Sequence, residues 1–142
     1  MNVSARNVFE GKITELTDGA VNAEVEIILA GGDKIIAIVT EASVKSLELG
    51  VGKAVVAYVK APWVMLMTGL QDVKFSARNQ LAGKVSAVNR GAVNTEVAVT
   101  LAGGSVVHAV VTNEAAVELG LATGVEATAL IKASNVILGV PA

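Results

Sequence analysis

Two short strings that occur twice carry most of the polar chemistry in this chain. Ser4-Ala5-Arg6-Asn7 returns as Ser76-Ala77-Arg78-Asn79, and Lys60-Ala61 returns as Lys132-Ala133. They supply a hydroxyl, a guanidinium, a carboxamide and an ammonium, with no Asp or Glu among them. A donor-rich, carboxylate-free set suits an oxyanion, because hydrogen bonds from Arg or Lys to an anionic oxygen are the strong, charge-assisted kind. Gly19-Ala20-Val21-Asn22, repeated as Gly91-Ala92-Val93-Asn94, reads as a tight turn whose N–H groups could converge on an anion. Free N–H groups at the start of a short helix near Glu41–Ser43 are a third donor source. Each residue also has a plainer reading. Ser4 and Asn7 could cap a turn, Arg6 could pair with Glu24, and Lys60 could be a solvated strand end.

Composition removes competing chemistries. The 142 residues include no cysteine and one histidine, His108. This excludes a disulfide scaffold, a thiolate metal site, a Cys nucleophile and a His-cluster zinc site. No carboxylate pair or nucleophile–base arrangement recurs, so neither an enzyme, a free metal cation nor an organic cofactor is expected. Eleven Lys and Arg against 13 Asp and Glu leave a net charge of −2. A protein that neutralises a phosphate backbone is normally basic. An OB-type nucleic-acid binder, the main rival reading, needs aromatic stacking platforms beside a basic groove. The aromatics are Phe9, Tyr58, Trp63 and Phe75, and the second half has no counterpart to the first three. The N-terminus lacks the apolar stretch of a secretory signal. The apolar run Ala61–Leu70 is about half of the roughly 20 residues a membrane-spanning helix needs. A soluble cytoplasmic protein, with no membrane and no nucleic-acid partner, is the expectation.

The elements that would hold these residues also come in two copies. An offset of 72 aligns Ser4–Leu70 with Ser76–Ala142 without a gap, with 27 identities in 67 pairs, which marks a tandem duplication. The spacing predicts one module over 1–70 and another over 71–142, linked around 71–75. In the first, Ala23, Val25, Ile27 and Leu29 alternate with Glu24 and Glu26, the period of a half-buried strand. Gly31-Gly32-Asp33 turns this strand into a second over 34–40, with further strands over 53–60 and 63–68. A short helix over 41–49 would be capped by Thr40 and ended by Gly50. The fold class is all-β with one short helix per module: two tandem OB-like small β-barrels. Ile36, Ile38, Val56, Tyr58 and Met65 fall out of phase with the inward set. An apolar outer surface of that kind predicts a homo-oligomer.

These strings, with the Ala-Gly-Gly hairpin, Val-Thr before the helix and Val59-Lys60-Ala61-Pro62-Trp63-Val64, resemble the Mop module. The duplicated arrangement resembles the di-Mop molbindins, which store molybdate. The resemblance implies an OB-like barrel per module, a trimer, and molybdate or tungstate bound at subunit interfaces and near the threefold axis. Its interface sites would use Ser4, Ala5, Arg6, Lys60 and Ala61 in one module, and Ser76, Ala77, Arg78, Lys132 and Ala133 in the other. Ser134-Asn135 replaces Pro62-Trp63, which would place a further hydroxyl, Ser134, beside Lys132. Axial sites would lie at Ala20, Val21 and Asn22 with Ser43, and at Ala92, Val93 and Asn94, where Ala115 replaces Ser43. Molybdate is a dianion at neutral pH, so all its oxygens accept and a donor-only site suits it. Sulfate shares that property. Glu24 and Glu96 are expected to orient Arg or Asn rather than touch the anion. The functional expectation is molybdate storage or homeostasis; an alternative makes the anion the effector of a regulatory module.

Overall fold

The structure, a computed structural model, describes residues 3–70 and 72–142; Met1, Asn2 and Gln71 of the two expected modules lie outside the described residues. Repeat one contributes β1 (Asn7–Asp18), β2 (Asn22–Leu29), β3 (Lys34–Thr40), α1 (Glu41–Ser46), β4 (Ala54–Val59) and β5 (Met65–Met67). Repeat two contributes β6 (Asn79–Arg90), β7 (Asn94–Leu101), β8 (Val106–Thr112), α2 (Asn113–Glu118), β9 (Glu126–Ile131) and β10 (Ile137–Gly139). The strands form two curled five-stranded sheets, and the two short helices are the only α-helices among the described residues. The all-β expectation holds.

Local sequence accounts for most of each sheet. In β2, Ala23, Val25, Ile27 and Leu29 are buried, while Glu24 and Glu26 are half-buried on the other face. β1 pairs with β2 on one side and β4 on the other. A register shift between Ile13 and Glu15 bends it, and the copy at Val85/Ala87 bends β6 in the same place. Bulges raise the local twist, which lets one long strand serve a curled sheet.

The last strand of each repeat does not stay at home. β10 pairs with β4 through Ile137↔Tyr58 and Gly139↔Val56. β5 pairs with β9 through Met65↔Leu130 and Met67↔Thr128. The sheet orders are therefore β10-β4-β1-β2-β3 and β5-β9-β6-β7-β8. Each sheet is completed by the other repeat, and one apolar cluster, including Ile27, Ile35, Val59, Val64, Val99, Ile131 and Val136, runs through both. The hairpins also meet. A Cβ on Gly31 would strike the Gly103 carbonyl, and Asp33 Oδ1 accepts from the Gly103 N–H at 2.9 Å.

Three local expectations need correction. The first helix ends at Ser46, not near Gly50: Glu48 takes the left-handed conformation (φ 54°), as Gly120 does in repeat two (φ 65°). Leu49 then returns to the core, its N–H bonded to the Val44 carbonyl at 2.9 Å. The apolar spacing through Leu49 reflects burial after the helix rather than within it. Strand β4 starts at Ala54, because the Lys53 N–H closes a turn on the Gly50 carbonyl. Trp63 lies in a 3₁₀ turn, Ala61–Trp63, with Pro62 at its start, so β5 begins at Met65. Of the out-of-phase residues, Met65 is exposed, while Ile36, Ile38, Val56 and Tyr58 are only half-buried. The exchanged strands and turns cover part of that surface within one chain.

Candidate functional site

Asn7↔Val59 is the last rung between β1 and β4, and Arg6 and Lys60 each lie one residue beyond it. Lys60 has extended backbone and caps the 3₁₀ turn whose first residue, Ala61, is buried. Ser4, Ala5 and Lys60 line one cleft of about 400 Å³ with Tyr58, Trp63 and Ile137–Val140 of the exchanged segment. Lys60 Nζ sits 5.8 Å from the centroid of the Trp63 ring, a cation–π distance. In repeat two, Lys132 caps the corresponding turn and Ala133 is buried, but Asn135 stands at the position of Trp63 and Leu130 at that of Tyr58. The two ends have different walls.

The arginines point elsewhere than a strand alternation implies. Ser4 and Arg6 precede β1, so no shared strand face holds them together. Arg6 Nη2 reaches Glu96 Oε1 at 2.5 Å, and Arg78 Nη1 reaches Glu24 Oε2 at 2.5 Å. The plainer reading, Arg6 with Glu24, is thus replaced by reciprocal pairs across the repeats. Both guanidiniums remain more than half exposed, so the pairs are cheap to open.

Asn7 is not a turn cap. Its carboxamide is buried (1% exposed) and bonds both backbone groups of His108 on edge strand β8: Nδ2 donates to the carbonyl at 2.8 Å and Oδ1 accepts from the N–H at 2.7 Å. Asn79 does the same to Ile36 on edge strand β3, at 2.8 and 2.7 Å. The amide supplies one rung to a strand that has no further neighbour.

The turns at 19–22 and 91–94 connect β1 to β2 and β6 to β7, but no residue in either has positive φ. The alternating right- and left-handed backbone of an anion nest is therefore absent, because neither glycine takes the left-handed state. The Val21 and Val93 carbonyls instead accept from Glu41 and Asn113 at 2.8 and 3.1 Å, and both valine side chains are strongly exposed. The helix start is occupied too: Ser43 N–H donates to Thr40 Oγ1 at 3.1 Å. Asn22, Thr40 and Ser43 line a cleft of about 370 Å³ together with Ser134. Ser134 thus meets the first turn's residues across the repeat boundary. Ala92 and Val93 line a hollow of about 600 Å³ with Arg90, Asn113, Glu114 and Glu118. Ala20 and Asn94 are exposed and line neither space.

At the first turn, the Glu41 carboxyl lies beside that of Asp18. A hydrogen bond shared with the Asp18 carboxyl, then desolvation and the Asp18 charge, hold the Glu41 pKa above the ordinary glutamate range, against the Gly19 backbone donor and Lys45. Repeat two places Arg90 and Asn113 at these positions, and Asn113 is satisfied by the Gly91 carbonyl (3.0 Å) and the Thr95 hydroxyl (2.7 Å). Among the described residues, no three His, Asp or Glu side chains converge as a metal site, and no helix is long and apolar enough to cross a membrane.

A tandem β protein, with donor-bearing clefts where one repeat's turn meets the other's exchanged strand, is the class that fold and site define. The chain belongs to the TOBE domain family, whose pattern matches residues 3–66 and 76–138. Over 141 residues it is 45% identical to the molybdenum-pterin-binding protein MopA of Rhodobacter capsulatus, covering 99% of this chain and 53% of MopA. It is 47% identical over 140 residues to the molybdenum transport protein ModE of Azotobacter vinelandii, covering 99% and 52%. The chain spans about half the length of these curated relatives. A crystal structure of the cytoplasmic molybdate-binding protein ModG with molybdate bound superposes with a TM-score of 0.95 at 57% identity, covering 99% of this chain and 100% of that one.

Proposed function

We propose that this chain binds molybdate, and tungstate by the same chemistry, as a cytoplasmic store that buffers the free oxyanion. The observation that carries the reading is the cleft where Ser4, Ala5 and Lys60 come together beneath an exchanged strand, with Arg6 one residue past the same rung. Its side-chain groups are donors, and no carboxylate lines it. Likeness to ModG over the full chain supports assigning molybdate to it. The reading takes residues 1–70 and 71–142 as two binding modules. Ser4, Arg6 and Lys60 serve one interface-type site, and Ser76, Arg78 and Lys132 the other. It places these sites between subunits of a trimer, with axial sites near Asn22 and Ser43 and near Asn94. Exposed Met65 and Ile137, equivalent positions on the two exchanged strands, supply apolar surface for subunit contact.

Equilibrium dialysis against molybdate, tungstate, sulfate and phosphate, with molybdenum counted per native oligomer, tests it. Several molybdates per trimer are expected, with phosphate excluded; a monomer that binds none of the four overturns the reading. A second reading, an anion-sensing part of a longer regulator, is favoured by the extra length of MopA and ModE. It predicts that loading changes affinity for a partner.

A further inference from the structure

The two reciprocal Arg–Glu pairs are not equivalent. Glu96 Oε1 on β7, which accepts from Arg6 Nη2 at 2.5 Å, also lies 3.5 Å from Nδ1 of His108 on β8. The other pair, Arg78 with Glu24, has Ile36 at the position equivalent to His108, and no third ionisable group contacts it among the described residues. His108 is the chain's sole histidine. Its backbone is pinned by Asn7, the residue next to Arg6, so imidazole, carboxylate and guanidinium are held in one small cluster.

Charge counting then separates the two ends. With a neutral imidazole, Arg6 and Glu96 cancel, as Arg78 and Glu24 do. With a protonated imidazole, Glu96 faces two cations and the cluster carries one net positive charge. The carboxylate's hold on Arg6 is shared, and the guanidinium is freer to turn toward a dianion near Lys60. The charged groups on the elements around His108 are Glu96 on β7, Arg6 ahead of β1, Glu10 on β1, which lines a cleft with Val106 of β8, and Lys60 at the head of the 3₁₀ turn that packs on β8. Helix α2 also packs on β8, but its Glu114 and Glu118 line the hollow beside Arg90.

We propose that His108 is a positioning residue that couples oxyanion binding at the Arg6–Lys60 end to uptake of a proton, while the Arg78–Lys132 end binds without one. The inference rests on the oxyanion-binding reading above and adds to it a regulated inequality between the two sites. An imidazole is the side chain that ordinarily changes charge between about pH 5 and 8. By linkage, a site that takes up a proton on binding gains affinity as pH falls.

Isothermal titration of the intact protein with sodium molybdate, at one pH in buffers of different ionisation enthalpy, reads the proton directly. The wild type should take up protons at one class of sites, whose affinity rises roughly five- to tenfold from about pH 8 to pH 6. His108→Ile should abolish the uptake and the pH dependence while leaving the number of bound anions unchanged. Ile36→His should add uptake at the second class. Binding without proton uptake in the wild type, or uptake that survives His108→Ile, overturns this inference and leaves molybdate binding standing. No binding at any pH overturns both.

Discussion

At the residue scale, polar groups retained in both repeats divide into two kinds that look alike in the sequence. Arg6 and Arg78 stay more than half exposed in pairs that water can replace. Asn7 and Asn79, immediately next to them, are buried and hydrogen-bonded to an edge strand of the other repeat. Only the first kind is available to a ligand. Glu41 offers a further test at this scale. The folded state keeps its proton to higher pH than the unfolded chain does. Stability is therefore lost as pH rises from the ordinary glutamate range through the raised value. Replacing Glu41 with Gln should raise the melting temperature at neutral pH. The gain should shrink to nothing below about pH 4, where the carboxyl is neutral in both states. A neutral-pH melting curve unchanged by Glu41→Gln would refute the carboxyl pairing.

Elements show where spacing arguments succeed and where they slip. The alternation in β2 and the Gly31-Gly32 turn set up the hairpin locally, and both capping threonines bond the N–H three residues on (Ser43 and Ala115, each 3.1 Å). Helix ends were less legible. A non-glycine in the left-handed state costs about 1–2 kcal/mol, partly offset by the lower chain entropy of the non-glycine when unfolded. Glu48→Gly, which copies Gly120, should therefore stabilise the protein by about 0.5–1 kcal/mol in urea unfolding. A destabilisation would mean that the Glu48 side chain makes a compensating contact. The 3₁₀ turns are the other element that spacing misplaced. Pro62 opens one of them, and Ser134 stands at the same position in the other. Both direct the chain away from its own sheet.

At the scale of the whole molecule, the exchange of β5 and β10 makes each sheet depend on both repeats. A single repeat, residues 1–70, would leave β4 without its outer partner and β5 without a sheet. Because Met65 is the counterpart of Ile137, two copies can complete each other by placing β5 of one on β4 of the other. The excised repeat should therefore pair by strand exchange, giving a dimer by light scattering, or six copies where the proposed trimer contacts also form, with a melting temperature that rises with concentration. A stable monomer would show that β5 can fold back onto its own sheet. The exchange also brings Ser134 beside Asn22 and Ser43, and places Ile137–Val140 against Lys60. Neither neighbourhood lies within one repeat.

The sequence by itself determined the duplication, the strand phases, the capped helices and the donor-only character of the Ser-Ala-Arg-Asn and Lys-Ala strings. These follow from spacing and residue type, which act over a few positions or recur at a fixed offset. The tertiary structure decided which strand completes which sheet, that Arg6 pairs with Glu96 rather than Glu24, that Asn7 serves an edge strand, and that His108 stands beside one arginine and not the other. Two repeats of one design, identical at 27 of 67 aligned positions, offer β5 and β10 similar ladders at home or across the molecule. Local propensity cannot choose between them, and the choice falls to packing of the 3₁₀ turns and the shared core.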